Sequence, residues 1–160
     1  MRSSRGQTLF EMIIAMGVAV LILAGIVHII TLSIRNTTFA RTQAEATRYA
    51  KDAVEWLKKE KDKGWSVFQT NAQLPSGGAP STKYFCFTAD PLALPWPSEA
   101  LRCVTSDDDD KISGTQFWRE VKFAQKDATT VDVLVTITWE GSAGKHSSTI
   151  STKLTNWREQ

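Results

Sequence analysis

The sequence predicts an α+β chain: a long N-terminal helix, apolar in its first half, packed through its second half on a C-terminal antiparallel β-sheet. Three observations predict it. No charged residue lies within residues 12–34. Helical spacing of small and apolar side chains then continues to about Lys63. Beyond Thr115 the period changes to strict alternation, the signature of half-buried strands. A length of 160 residues leaves room for one modest domain plus an attachment segment. Apolar and charged fractions of 42% and 22% are ordinary for a folded chain, so disorder is not the default. A net charge of +2 is too small to argue for nucleic acid as a partner.

The first element opens on a short basic stretch, Met-Arg-Ser-Ser-Arg-Gly, followed by Gln7-Thr8-Leu9-Phe10-Glu11 and the uncharged run. As a helix at about 1.5 Å per residue, that run reaches roughly 35 Å, enough to cross a hydrocarbon core of about 30 Å. It contains no proline. Arg2 and Arg5 precede it and Arg35 and Arg41 follow it, so charge asymmetry favours a cytoplasmic N-terminus only weakly. Two plain readings compete. The run is too long for the apolar region of an ordinary secretory signal, and no small-x-small cleavage site ends it. A generic single-span anchor accounts for everything except Glu11, because a carboxylate entering hydrocarbon unpaired costs up to a few kcal/mol.

The order Gly6, Gln7-Thr8-Leu9-Phe10-Glu11, apolar helix resembles the class III signal of type IV prepilins and pseudopilins. The resemblance implies that a prepilin peptidase cuts after Gly6 and that Gln7 becomes the mature, methylated terminus. It also implies that Glu11 is the acid that draws the subunit into a filament by pairing with a neighbour's amino terminus. The family usually begins its mature chain with phenylalanine or another apolar residue, whereas this chain has Gln7. On a helix Gln7 and Glu11 share a face one turn apart, and the macrodipole favours an acid near the start. The implied partners are the prepilin peptidase, other pilin subunits, the pilus or secretion assembly platform, and membrane lipid. The implied location is the cytoplasmic membrane, crossed once with the C-terminal domain outside the cytoplasm, and then a cell-surface filament.

Past Arg35, Ala46, Ala50, Ala53 and Leu57 recur at helical spacing with Val54 beside them, and Glu55 and Lys59 form an i,i+4 pair. Gly64 is the stop signal after a lysine-rich end. That end, Lys58, Lys59, Lys61 and Lys63 with Glu60 and Asp62, reads as a solvated face. Residues 46–65 also look like the second half of the helix in V-type minor pilins. The expected organisation is a leader at 1–6, a transmembrane assembly helix at 7–34, its amphipathic continuation at 35–64, and a β-sheet domain at 65–160.

Within the last segment, residues 75–80 read as a loop and residues 83–88 as a short aromatic strand. A proline-rich, aperiodic connection follows. Residues 115–124 alternate, with Phe117, Arg119, Val121 and Phe123 on one face and Trp118, Glu120 and Lys122 on the other. Val131, Val133, Val135, Ile137 and Trp139 share a face of the next strand. Residues 141–144 make a hairpin turn, and Ser148, Ile150, Thr152 and Leu154 share a face of the last strand. This helix-on-sheet architecture is also the one pilins have, and the chain's ending again looks like V-type minor pilins. Cys86 and Cys103 are expected to form a disulfide if the domain is exported, the alternative being two unrelated buried thiols.

The remaining candidates are thin. Asp107-Asp108-Asp109-Asp110 invites a calcium reading, but it lacks the EF-hand spacing and turn glycine, so a solvated acidic loop is expected. His28 lies in the apolar run and His146 beside the hairpin turn, neither with a nucleophile in a recognisable setting. There is no phosphate loop, dinucleotide motif or metal spacing, so no catalytic residue, cofactor or metal is expected. Trp118 and Trp139 are assigned to packing within or on the sheet, and Trp96, between Pro95 and Pro97, to an exposed binding contact. Besides the filament subunit, the sequence allows a membrane-tethered binding module that does not assemble. An anchored enzyme has no residue constellation behind it.

Overall fold

The computed structural model describes residues 5–90, 92, 95–98, 100–141 and 144–156, with side chains from Leu9 onward. Helix α1 runs Arg5–Lys63 and a short α2 runs Trp65–Asn71. Four strands follow: β1 Ser81–Cys86, β2 Phe117–Gln125, β3 Thr130–Gly141 and β4 Gly144–Thr155. They form one antiparallel meander in the order β1-β2-β3-β4, so the expected α+β class is the observed one. The chain divides into two compact units, Met1–Arg41 and Thr42–Gln160.

In the first unit the described residues are helical, and one apolar stretch is long enough to cross a membrane. Its large apolar side chains from Leu9 to Ile34 are each between 45 and 73% exposed. Its threonines satisfy themselves within the helix. Thr31 donates to the Val27 carbonyl at 2.9 Å and Thr37 to the Ser33 carbonyl at 2.8 Å. Such back-bonding to the preceding turn lets a hydroxyl tolerate an apolar surrounding.

In the second unit, the stripe expected on the helix is the one buried. Ala46, Tyr49, Ala50, Ala53, Val54 and Leu57 all face the core. Three alanines in that stripe let the helix axis approach the sheet, while Tyr49 reaches Phe117 at 5.5 Å between rings. On the sheet's inner face, Phe117, Val121, Phe123, Val131, Val133, Val135, Ile137, Trp139 and Leu154 are buried. Register places Phe85 opposite Val121, Val121 opposite Val135, and Val135 opposite Ile150, so the four strands present one apolar surface.

Several expectations shift in detail. After Gly64, expected as the helix stop, the chain stays helical for a further short segment. Gly64 breaks the helix with an extended φ of 160°, and Trp65–Asn71 resumes it as α2. That second helix buries Trp65 and Phe68, which a window of seven residues is too short to announce by periodicity. β1 begins two residues earlier than the expected 83–88. The Phe87 amide still donates to the Arg119 carbonyl at 3.0 Å, so pairing outlasts the strand proper. The lysine-rich helix end is not wholly solvated: Glu60 is only 5% exposed and is paired with Lys63.

The β2–β3 hairpin tip is tied to α2 and to the loop before β1. Trp65 Nε1 donates to the Ala128 carbonyl at 2.9 Å. Gln125 Nε2 donates to the Pro75 carbonyl at 2.9 Å. Inside the tip, the Asp127 carboxylate accepts from the Thr129 amide at 2.8 Å and its hydroxyl at 2.9 Å. These bonds favour the ionised acid and hold its pKa below the ordinary value. Gly78, at φ +75°, lies against the same tip.

Candidate functional site

Glu11 is the single charged side chain between Arg5 and Arg35, and it is exposed on α1 near the start of the apolar stretch. Gly6 and Gln7 lie on the backbone of the same helix, the Gln7 side chain being outside what is described. The first four residues of the expected leader also lie outside the described residues. Gln7 and Glu11 are therefore one turn apart on one helix, as their spacing requires. His28 is exposed on the same helix, three residues before Thr31.

The two cysteines are joined. Cys86 ends β1 and bonds to Cys103 across a separation of 17 residues, with Cα atoms 4.9 Å apart. The bridge fixes both ends of the connection but not its middle. Trp96, in that middle, is 8% exposed rather than presented to solvent. It stacks on Phe123 at 5.8 Å and meets Trp56 at 5.3 Å, Phe68 at 5.8 Å and Phe87 at 5.8 Å. The expectation of an exposed binding tryptophan is therefore overturned. Flanking prolines suggested an open loop, but an indole offers a large apolar surface, and the core took it up. Trp118 and Trp139 are buried, as expected.

Asp107–Asp110 is a turn built from its own carboxylates. Asp110 Oδ2 accepts from the Val104 amide at 2.6 Å and Asp107 Oδ1 from the Asp109 amide at 3.0 Å. Asp108 pairs with Lys111 at 2.6 Å. Those bonds point the carboxylates in different directions, and among the described residues no group of three or more acids, histidines or cysteines is placed to hold a metal. His146 lies against Trp139, with ring centroids 5.6 Å apart. A side chain at Gly141 would come within 2.9 Å of the imidazole, so glycine there makes room for it.

Arg119 interrupts the apolar face of β2 and is fully buried. Its Nη2 donates to the Ala89 carbonyl, and its Nε has no hydrogen-bond partner among the described residues. Burial lowers its pKa from the ordinary guanidinium range to about 10, opposed by the charges of Asp90 and Asp52, so it stays a cation at neutral pH. A cavity of about 210 Å³ opens beside it, lined also by Asp52, Glu55, Trp56, Lys59 and Asp90. Glu55 and Lys59, expected as an i,i+4 pair, both line this wider charged cluster but form no ion pair with each other. Its acids and bases nearly balance, and among the described residues no nucleophile or histidine lines it.

No family model, no curated protein and no solved structure matches this chain.

Proposed function

We propose that this chain is a minor pilin or pseudopilin, a membrane-held subunit clipped after Gly6 and drawn into a filament through its apolar helix and Glu11. The observation that carries the reading is the sequence Gly6-Gln7-Thr8-Leu9-Phe10-Glu11 at the head of an uncharged apolar stretch of α1 whose large side chains are exposed. Such a surface requires lipid or neighbouring helices around it. A lone carboxylate at its mouth, costly in lipid, gains most by meeting a cationic amino terminus in a helix bundle. The compact α+β domain, with its disulfide, suits an exported position outside the cytoplasm. The minor rather than major assignment follows the V-type resemblance of residues 46–65 and of the chain's ending, and the lack of a proline in the apolar run.

Intact-mass measurement of the chain produced with and without a prepilin peptidase tests this reading. Loss of residues 1–6 that depends on the peptidase and is abolished by Gly6→Leu is expected, with a methyl increment on Gln7. Glu11→Ala should insert in the membrane normally yet fail to enter filaments. A chain left uncut by active peptidase would favour the tethered binding module instead.

A further inference from the structure

The outer face of the sheet, turned away from α1, carries opposite charge at its two ends. Register places Trp118, Glu120, Lys122 and Ala124 of β2 on this face, with Thr138, Thr136, Leu134 and Asp132 of β3 beside them. At the Trp118 end lies the acidic turn. The Trp118 indole donates to the Asp107 carbonyl at 2.8 Å, and Lys111 sits over the same ring at 4.8 Å. Asp107, Asp108 and Asp109 are exposed there.

At the other end is an open groove of about 580 Å³ whose charged lining is Lys122, Lys126, Lys153 and Asp132. Asp132 lies 3.6 Å from Lys126 and 4.0 Å from Lys153, too few acids to neutralise the three lysines. The groove floor includes Ala124 and Leu134, the latter 36% exposed although it sits in the middle of a strand. Six residues separate Trp118 from Ala124, which is about 20 Å along the strand. The acidic turn therefore cannot fold back into the groove of its own chain.

We propose that the outer faces of two copies of this chain pair about a twofold axis, the acidic turn of each seated in the lysine groove of the other. Asp108 is already paired with Lys111, so exposed Asp107 and Asp109 are the charges the turn offers. Their complementarity to the three lysines selects a second copy as the occupant, because the same face carries both halves of the contact. Reciprocal pairing uses both halves at once, the defining property of an isologous interface. Leu134 and Ala124 supply apolar contact beneath the ions. The contact lies within the sheet domain and does not depend on processing at Gly6 or on Glu11.

The test uses the full chain in detergent micelles at low salt, as an equal mixture of isotopically light and heavy protein. A zero-length carboxyl–amine coupling reagent followed by peptide mass analysis should give mixed-isotope links between the Asp107–Asp109 peptide and Lys122, Lys126 or Lys153. Screening of exposed pairs should abolish them near 1 M salt. Asp107→Asn with Asp109→Asn, and separately Lys122→Gln with Lys153→Gln, should each weaken domain pairing on the order of tenfold. These surface changes leave the core untouched, and circular dichroism checks the fold. Mixing the two variants should restore links in one direction only, from the aspartates of the lysine variant to the lysines of the aspartate variant. Absence of mixed-isotope links in the wild type, or links unchanged in both variants, overturns the proposal.

Discussion

Replacing Cys86 and Cys103 together by alanine isolates the contribution of the bridge to the sheet domain. The bond closes a separation of 17 residues. On the chain-entropy account, opening it returns roughly 10 cal/mol/K to the unfolded chain, or about 3 kcal/mol at 25 °C. Native contacts should survive, because Trp96, within the bridged segment, is held independently by rings from α1, α2 and β2. The assay is urea unfolding of the full chain in micelles, followed by tryptophan fluorescence and near-ultraviolet circular dichroism. With a urea slope of about 1–3 kcal/mol/M, the midpoint should fall by roughly 1–3 M while the native spectrum stays the same. A midpoint shift worth under about 1 kcal/mol would refute the entropic account. A native spectrum already altered before unfolding would show instead that the bond holds Trp96 in place.

Trp96→Ala should destabilise the domain by about 3–5 kcal/mol in the same assay, because it empties a site among packed rings; an exposed contact would cost almost nothing. Gly78→Ala should cost more than about 1 kcal/mol, since φ is +75° and the new Cβ would lie 2.4 Å from the Ala128 amide nitrogen, backbone that cannot swing aside. Arg119→Met should be no less stable than wild type, whereas Arg119→Ala should lose about 2–5 kcal/mol by leaving a cavity. The sign follows from the lowered pKa: the folded state disfavours the cation, a cost present at neutral pH and relieved only as pH rises through about 10. A strongly destabilised Arg119→Met would show that the guanidinium's bond to Ala89 and its attraction to Asp52 and Asp90 outweigh its burial.

What the sequence determined by itself was whatever rests on period and composition. The uncharged run set the length of the apolar helix, and alanines at helical spacing marked the face that packs. Alternation in β2 and β3 named the inward residues correctly, since a strand's two faces differ at every step. The processing signal proposed at Gly6, Gln7 and Glu11 likewise rests on sequence alone, because the chemistry proposed there is local and its partners are other molecules. Tertiary structure decided what depends on residues far apart. Trp96 has no periodic neighbours, so its burial was settled only when α1, α2, β1 and β2 supplied rings around it. Arg119 stood in plain view, yet its burial depends on helix and loop closing over the sheet. The lysine groove likewise exists only because antiparallel register brings Lys153 beside Asp132, and Asp132 beside Ala124.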